Sequence, residues 1–484
     1  PQALENDVLS SRLSLEDVSL LVIDEAHRAV GDYAYVFLAE QYKKAAKNER
    51  ILALTASPGT DKESIQQVCS HLGVQRIEYR SPKSKDVSSY TQQTTMSWEQ
   101  VELPEKLQGI SSLLTTSYNE KIQFIKQNGY LNKPASQLTK TSLLLLQREL
   151  QGDITKGDTS QEIFSSISLI AQALKIQHAI ELAQTQTIKA LYEYLYSIFS
   201  DAKSSRSKAV KELIKDPSFV TAFAKTREVM KTGQEHPKLF VLTNKLSALI
   251  RRKKEAKIII FTQFRDTAVS IQEQLQDIVS SELFFGQAKK NGIGFSQKKQ
   301  KEVLNRFREG TFSVLIATSV AEEGLDIPSV DHVFFYEPVP SAIRTVQRRG
   351  RTGRLEKGQV IVLVTQGTRD VGYRWVAHHK EKRMYRAIKD VKKGLNFTDK
   401  KEQPTLTQYT SDKQYSVVAD HREKGSAVLK ALVAAGAKLD LQQLAVGDFL
   451  LSERCVVEFK TIPDFVDSMI DGRLLAQLKS LKQY

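Results

Sequence analysis

The stretch Leu20-Leu-Val-Ile-Asp-Glu-Ala-His27 decides the fold class, because it runs from an apolar segment directly into two adjacent acids. Leu20–Ile23 is typical of a strand that is covered on both faces of a parallel sheet. A second apolar run, Ile51–Leu54, leads into Thr55-Ala-Ser-Pro-Gly59, where proline and glycine force a loop. Since ligands of open parallel sheets bind beyond the carboxyl ends of the strands, these segments predict a ligand site at one sheet edge.

The composition is that of a folded, basic protein. Of the 484 residues, 41% are hydrophobic and 26% are charged, which excludes collagen-like, mucin-like and wholly disordered chains. No apolar run approaches the roughly 18–20 residues of a membrane span, so we expect no membrane partner. Lys and Arg number 70 against 56 Asp and Glu, and this excess favours a polyanionic partner such as nucleic acid. Two cysteines are too few for a disulfide framework, which indicates a reducing compartment.

The sequence predicts five successive segments. We expect residues 1–95 to be the carboxyl-terminal part of a first α/β domain and residues 96–238 to be an all-helical insertion. Residues 239–393 carry four apolar strand patterns with helices between them, which predicts a compact parallel-sheet domain. Residues 394–414 are polar and predict a linker. Residues 415–484 begin another α/β unit.

The first acid pair predicts nucleotide chemistry. Beyond a buried strand, Asp24 is placed to hold Mg²⁺ and Glu25 to orient the attacking water, with His27 beside them. Thr55 and Ser57 follow the next buried strand, so their hydroxyls are placed at the same nucleotide site. The alternative interpretation is a helix that simply begins with acids in its first turn.

The second α/β unit carries two further candidate segments. Ala317-Thr-Ser-Val-Ala-Glu-Glu-Gly-Leu-Asp-Ile-Pro328 follows an apolar run. Within it, Gly324 permits close backbone approach and Asp326 is a hydrogen-bond acceptor for a ribose or a neighbouring loop. Gln347-Arg-Arg-Gly-Arg-Thr-Gly-Arg354 combines planar guanidinium groups with glycines, which suits phosphate. A flexible RNA-binding tail is the alternative, but this run lies between two predicted strands.

Together these segments resemble the superfamily-two helicases, which have two RecA-like domains. The resemblance implies that Arg351 and Arg354 are arginine fingers toward the γ-phosphoryl group, that Gln347 senses nucleotide and that Thr318 touches the nucleic-acid backbone. ATP and Mg²⁺ are the implied cofactors.

One motor element is absent from the printed sequence. No Gly-x-x-x-x-Gly-Lys-Ser/Thr loop occurs in the 484 residues. The family places this phosphate-binding loop upstream of Asp24, so we expect the chain to be a fragment of a longer protein. By itself it should bind ATP poorly and should not hydrolyse it.

The carboxyl-terminal unit carries a second set of acids. Asp420-His-Arg-Glu423 follows an apolar run, so Asp420, Arg422 and Glu423 are candidates for catalysis. Asp448 opens a second strand, and Val456–Lys460 predicts a third, on which Glu458 and Lys460 share one face while Phe459 points into the core. Asp420, Asp448 and Glu458 are candidate ligands of one divalent metal, and Lys460 is placed beside the scissile phosphate. A solvated edge strand is the alternative interpretation.

The spacing Gly447-Asp448, Glu458-x-Lys460 and Asp464 resembles the XPF-type nuclease signature, with Phe459 where most members have arginine. The resemblance implies a partial restriction-endonuclease-like α/β domain that uses Mg²⁺ or Mn²⁺. A motor, a helical insertion and this nuclease on one chain resemble the Hef/FANCM family. That family implies an archaeal, cytoplasmic, nucleoid-associated enzyme that acts on forks, flaps and junctions of branched DNA in repair, and that forms a homodimer through the nuclease domain.

The linker adds one candidate partner. Gln403, Leu406 and Tyr409 have the spacing of the box that docks onto the sliding clamp PCNA, although Thr410 replaces the second aromatic residue.

Two alternatives to the branched-DNA enzyme remain. A double-stranded RNA helicase of the Dicer or innate-sensor type shares the motor and a helical insertion but lacks the nuclease spacing. A non-catalytic scaffold that binds forks is the other alternative.

Overall fold

The structure is a computed structural model of the 484-residue chain. It describes residues 1–80, 84, 87, 95–157, 160–204, 207–287, 294–318, 327–339, 358–394, 416–452 and 455–483. The chain divides into two compact units, one formed by residues 1–79 and 381–484 and the other by residues 80–380. Each unit is described below by itself.

The amino-terminal segment of the first unit contains the two strands that the apolar runs predict. Strand β1 (Leu21–Ile23) and strand β2 (Ile51–Ala53) pair in parallel, with Ile23 opposite Ala53. Both strands therefore end at the same edge of the sheet, and the acids after β1 lie beside the loop after β2. Three helices complete the segment: α1 (Gln2–Leu9), α2 (Ala34–Ala45) and α3 (Lys62–Leu72).

The second unit begins its helical part at Glu105, and the described residues from there to Lys231 contain no strand. The helices are α4 (Glu105–Gln127), α5 (Lys140–Thr155), α6 (Gln161–Thr185), α7 (Ile188–Ser204), α8 (Lys208–Leu213) and α9 (Pro217–Lys231). By length and composition alone α6 is apolar enough to cross a membrane. Its Ile163, Ile170 and Ile176 are instead buried in the shared core of the bundle, as in a core helix of a folded domain. The predicted all-helical module is confirmed over the described residues.

The same unit contains a parallel sheet, which has six strands among the described residues. The order is β3-β8-β7-β4-β6-β5. The strands are β3 (Thr95–Val101), β4 (Ile258–Phe261), β5 (Ser281–Phe284), β6 (Val314–Ala317), β7 (His332–Phe335) and β8 (Gln359–Thr365). The accompanying helices are α10 (Pro237–Arg252), α11 (Arg265–Leu275), α12 (Gln297–Glu309) and the part of α13 (Arg369–Gly394) up to residue 380. Strands β4 and β6 are buried at every position, as their continuous apolar sequence predicts.

Two details of this sheet differ from the sequence prediction. Residues 96–101 were assigned to the helical insertion, but they form β3, which pairs with β8 along its whole length. Strand β5 was not predicted, because Ser281 and Glu282 interrupt the apolar pattern. Both strands lie at the edges of the sheet, where one side is open and polar residues are tolerated.

The carboxyl-terminal segment of the first unit is a small mixed sheet of order β10-β9-β11-β12. Its strands are β9 (Ser416–Asp420), β10 (Lys438–Gln442), β11 (Phe449–Ser452) and β12 (Cys455–Val457). Strands β9 and β10 pair in parallel, whereas β11 is antiparallel to both β9 and β12. The helices are α14 (Ala427–Ala434), α15 (Ile462–Ile470) and α16 (Arg473–Gln483).

The last helical stretch of this segment is divided in two, because α15 ends before Gly472, whose φ of 74° breaks the helical path. One prediction for this segment was wrong. The third strand was expected to include Glu458 and Lys460, but β12 ends at Val457. Both side chains therefore project from the chain after the strand.

Candidate active sites

The acids Asp24 and Glu25 lie immediately beyond the carboxyl end of β1. The Glu25 N–H donates to Asp24 Oδ1 at 2.9 Å, and Ala26 N–H donates to the carbonyl of Leu54 at 2.9 Å, which ties this turn to the end of β2. Glu25 has a left-handed backbone with φ of 51°. For a residue other than glycine this conformation costs roughly 1–2 kcal/mol, so the rest of the segment holds the acid pair in a strained turn.

His27 connects the two predicted motor segments. Its Nδ1 lies 3.1 Å from Thr55 Oγ1 and 3.3 Å from Glu25 Oε2. The Ser57 N–H donates to Thr55 Oγ1 at 3.1 Å, while the buried Ser57 hydroxyl oxygen has no hydrogen-bond partner among the described residues. The structure therefore brings together the acids after β1 and the hydroxyls after β2.

The donor set fits a metal ion that arrives with a nucleotide. Asp24 is exposed, and its carboxylate supplies the oxygen ligand that Mg²⁺ prefers. Magnesium takes most of its other ligands from water and phosphate oxygens, so one protein carboxylate at the strand end is sufficient.

The predicted contributions of the second motor domain are described only in part. Gly324, Asp326, Gln347, Arg351 and Arg354 lie outside the described residues, and their roles stay predictions. Thr318 is described: it is buried directly after β6, and its N–H donates to the carbonyl of Phe284 at 3.3 Å.

In the carboxyl-terminal segment, Asp420 is the buried end of β9. Its Oδ1 accepts hydrogen bonds from the backbone N–H and from Nε of Arg422, both at 2.8 Å. Its Oδ2 accepts from Nη2 of Arg422 at 3.1 Å and from the Leu444 N–H at 2.8 Å. The guanidinium hydrogen bonds hold the pKa of the Asp420 carboxyl well below its usual range. Both oxygens of this carboxylate are thus engaged within the protein.

Asp448 is fixed by the strands on either side of it. Its carbonyl accepts from the Asp420 N–H at 2.8 Å, its N–H donates to the Val457 carbonyl at 2.8 Å, and its Oδ2 accepts from the Phe459 N–H at 2.8 Å. Gly447 precedes it with φ of 75°, and a Cβ there would lie 3.1 Å from the Val457 carbonyl oxygen. Only glycine fits, which explains the Gly-Asp pair physically.

Glu458 and Lys460 meet after the end of β12. Lys460 Nζ lies 3.5 Å from Glu458 Oε1 and 3.1 Å from Asp464 Oδ2, and these contacts raise the pKa of the Lys460 ammonium, chiefly through Asp464. Phe459 was predicted to point into the core, but it is 45% exposed because the strand has already ended.

The acids share one region of negative charge but do not form a metal centre in this arrangement. Burial and the charges of Asp448 and Asp420 raise the pKa of Glu423. Within the described ranges there is no group of three or more His, Cys, Asp or Glu side chains placed to hold a metal ion. The shared ion predicted for Asp420, Asp448 and Glu458 therefore does not fit the side chains as they stand, because the oxygens of Asp420 are already engaged.

Three family models match this chain. The helicase conserved C-terminal domain matches residues 241–356, "Putative ATP-dependent RNA helicase, helical bundle" matches residues 106–233, and the ERCC4 domain matches residues 419–484. A Methanocaldococcus jannaschii protein named "Putative ATP-dependent RNA helicase" is 34% identical across 100% of this chain, which covers 68% of that relative. The crystal structure of the Pyrococcus furiosus Hef helicase domain is 43% identical with a TM-score of 0.59, covering 78% of this chain and 77% of that one.

This chain belongs to the Hef/FANCM-like family of helicase–nucleases. The mouse Fanconi anemia group M protein homolog is 30% identical over 80% of this chain, which spans only 21% of that relative's length. In the Hef/FANCM-like chain the helicase model covers strands β4–β7 of the six-stranded sheet, the bundle model covers α4–α9 and the ERCC4 model covers most of β9–α16. The predicted fold class is confirmed. These domains imply the use of ATP and of divalent metal ions in general terms.

One site residue of the Hef/FANCM-like chain was missed from the sequence. Gln477 on α16 donates from Nε2 to Glu458 Oε1 at 3.0 Å. The sequence did contain a signal for this residue. Gln477 lies three positions after Leu474, on the apolar face of the helix, and a polar side chain on such a face needs a hydrogen-bond partner.

Proposed function

We propose that this chain belongs to an ATP-driven translocase that remodels branched DNA and also cuts it as a structure-specific endonuclease. The observation that carries the proposal is the contact of His27 with both Glu25 and Thr55, on a chain that also carries an ERCC4 domain. The first feature supports a nucleotide-driven motor, and the second supports phosphodiester cleavage.

In the motor, the carboxylate of Asp24 would hold Mg²⁺, which would supply positive charge to the nucleotide phosphates, and Glu25 would accept a proton from the attacking water. His27 links this acid to Thr55 after β2, so a change at the nucleotide is transmitted to the loop that carries Ser57. Arg351 and Arg354 supply positive charge to the γ-phosphoryl group, and Gln347, Gly324 and Asp326 contact the nucleotide.

In the nuclease, the catalytic acids are Asp420, Glu423, Asp448 and Glu458. The divalent cation that an ERCC4 domain implies, Mg²⁺ or Mn²⁺, would supply a Lewis acid for cleavage, although the described side chains do not form a site for it as they stand. Lys460 holds a positive charge beside Glu458 and Asp464, where it neutralises the phosphate that is cut. Since Phe459 stands where related signatures have arginine, this ammonium is the main cation that the signature itself contributes.

The same proposal favours DNA over RNA. The M. jannaschii relative is named as an RNA helicase and the mouse relative as a Fanconi anemia protein, so the names of the relatives do not decide between RNA and DNA. The ERCC4 domain distinguishes this chain from an RNA sensor, and its net charge of +14 suits a phosphate backbone.

A test uses the full-length gene product with a labelled three-way junction, Mg²⁺ and ATP. Glu25→Gln should lower ATP hydrolysis and unwinding by about 10²-fold or more, since the base is lost, while strand cutting persists. Asp448→Asn should abolish cutting while ATP hydrolysis persists. Glu63→Gln removes an exposed acid on α3 and should retain both activities.

Three outcomes would contradict the proposal. If a folded Glu25→Gln or Asp448→Asn variant loses both activities, the two sites are not independent. Intact junction strands in both assays with the wild-type protein would leave only a scaffold. ATP hydrolysis stimulated by double-stranded RNA, and not by branched DNA, would favour the RNA helicase.

Two partners complete the proposal. Gln403, Leu406 and Tyr409 lie outside the described residues, and we propose that they bind PCNA. The carboxyl-terminal segment forms a homodimer. A monomeric sedimentation profile of the full-length protein, and failure of PCNA to be retained by it, would each contradict one of these partners.

A further inference from the structure

His71, near the end of α3, contacts the turn that carries the predicted motor acids. That turn runs from Asp24 into a short 3₁₀ helix, Ala26–Arg28, and ends at Ala29. The Nδ1 atom of His71 lies 2.8 Å from the carbonyl oxygen of Ala29. Because a carbonyl oxygen only accepts hydrogen bonds, the ring nitrogen carries the proton and donates it.

Bulk water cannot supply this donor. Ala29 is fully buried, and it belongs to the same core cluster as Val68 and Leu72 of α3. A carbonyl at the end of a helical turn has no partner within that turn, and a buried carbonyl without a donor is costly. The imidazole of His71 therefore satisfies a group that solvent does not reach.

The chain that follows β2 thus holds the acid turn at both of its ends. At the start of the turn, the Ala26 N–H donates to the Leu54 carbonyl at 2.9 Å, and at its end the Ala29 carbonyl accepts from His71. Glu25 lies between these two contacts with its left-handed φ of 51°. A strained backbone of this kind persists only where the surrounding contacts over-determine it.

Contacts other than that of the ring fix the position of His71. Asp61 caps the start of α3 by accepting from the Ser64 N–H at 2.8 Å, and Gly73 ends the helix with φ of 66°. From α2, Lys43 Nζ donates to the His71 carbonyl at 3.0 Å. The ring therefore projects from a helix whose two ends are both anchored, as a group that orients another must.

We propose that His71 is a positioning residue for the motor, because its hydrogen bond to Ala29 keeps the strained turn in the conformation that presents the Glu25 carboxylate. The inference rests on the proposed motor function and adds a residue that lies outside the predicted motor segments. His71 acts through Glu25 and not on the nucleotide. Its loss should therefore lower the rate of the chemical step and leave the apparent affinity for ATP unchanged.

The test measures ATP hydrolysis by the full-length gene product, with saturating branched DNA, over a range of ATP concentrations. His71→Leu and His71→Phe remove the donor and should lower kcat about three- to tenfold, as expected for one hydrogen bond, with KM within about twofold. In His71→Asn the amide nitrogen replaces Nδ1, and kcat should recover to at least about half of the wild-type value. The control Gln67→Leu makes a polar-to-leucine change at an exposed position of α3 and should keep the wild-type kcat.

A second measurement distinguishes positioning from general damage to the segment. In a Glu25→Gln background, His71→Leu should lower kcat by less than about a further twofold, because the group that it positions is already lost. Damage to the whole segment would instead lower the rate equally in both backgrounds. The melting temperature of each variant is recorded, and rates are compared well below the lowest one.

The outcomes separate this inference from the proposed function. If Glu25→Gln abolishes ATP hydrolysis while both donor-free variants at His71 keep the wild-type kcat, the positioning role is wrong and the motor proposal stands. An equal loss in the Glu25→Gln background, or no recovery in His71→Asn, would also overturn the positioning role. Unchanged hydrolysis in Glu25→Gln would overturn the motor proposal and this inference together.

Discussion

At the residue scale, His236 shows how a buried environment selects one protonation state. Its Nδ1 accepts a hydrogen bond from the Lys238 N–H at 3.3 Å, and its Nε2 donates to the Gln184 carbonyl at 3.1 Å. The ring is fully buried. Burial, aided by the Lys238 ammonium, lowers the pKa of His236 from 6.5 to about 3. The neutral ring is therefore part of the folded state of the second unit.

This depressed pKa predicts a stability that falls in mild acid. Between pH 6.5 and 3 the unfolded chain binds a proton at His236 that the folded chain does not bind. The free energy of unfolding should therefore decrease by up to about 1.4 kcal/mol for each pH unit below 6.5. His236→Asn keeps an acceptor for the Lys238 N–H and should remove this part of the slope in urea unfolding measured from pH 7.5 to 5.

The matched control is His379→Gln, at an exposed position of α13, which should leave the slope unchanged. If the free energy of unfolding varied with pH in the same way for the wild type and His236→Asn, His236 would titrate equally in the folded and unfolded chains, which would contradict the prediction.

At the scale of the element, the turn into β11 depends on one glycine. Gly447 has φ of 75°, and an added Cβ would meet the Val456 side chain and the Val457 carbonyl on β12. Gly436, which precedes β10, has φ of 87° but open space around the position of its Cβ. Both glycines therefore have a backbone conformation that disfavours other residues, but only at Gly447 would an added side chain also clash with its neighbours.

Alanine substitutions at these glycines should separate the two effects. Gly436→Ala should cost about 1 kcal/mol for the left-handed backbone alone. Gly447→Ala should cost about 2–4 kcal/mol, because the displaced β12 strand adds an overpacking penalty. Native-state hydrogen exchange of the amides in β11 and β12 measures the difference locally, and equal protection in the two variants would contradict the steric explanation.

On the scale of whole domains, polar contacts within the second unit join the helical bundle to the parallel-sheet domain. Lys238 and Asp370 form a fully buried ion pair, and Lys238 Nζ also donates to the Thr185 carbonyl at the end of α6. Gln186 contacts Glu337 and Thr267 across the same junction. Such a satisfied network resists hinge motion, because separating the two parts exposes unpaired charges.

The buried pair predicts a large effect that a second substitution reverses. Lys238→Met leaves the Asp370 charge without its partner and should lower the free energy of unfolding by about 3–5 kcal/mol. The double variant Lys238→Met/Asp370→Asn should recover most of this loss, because Asn still accepts from the Thr365 N–H. Urea unfolding of the three proteins measures the coupling.

Lys215→Met breaks the exposed pair with Glu212 and should change the stability by less than about 1 kcal/mol. A double variant as unstable as Lys238→Met would contradict the ion-pair explanation.

Much of the fold could be predicted because its signals are local. The runs that form β1, β2, β4 and β6 are short and apolar, which predicts strands. Strands β4 and β6 are buried as predicted, but Val22 of β1 and Leu52 of β2 are 51% and 45% exposed, so coverage on both faces was a wrong prediction for those two strands. Strand β5 was not predicted, since Glu282 interrupts its apolar pattern and its pairing with β6 defines it. Strand β10 was also not predicted, although Leu439 and Leu441 alternate with polar residues as in a half-buried strand.

The sequence by itself determined which acids follow which strands, since strand ends and motif spacing are properties of adjacent residues. Only the tertiary structure decided how those acids are used. The pairing of Glu458 with Gln477, and of Lys238 with Asp370 across 132 positions, depends on chain segments that meet only after folding. Even Arg422, two residues from Asp420, takes its role from the burial of that carboxylate, because a buried charge must find a cation while an exposed one has water.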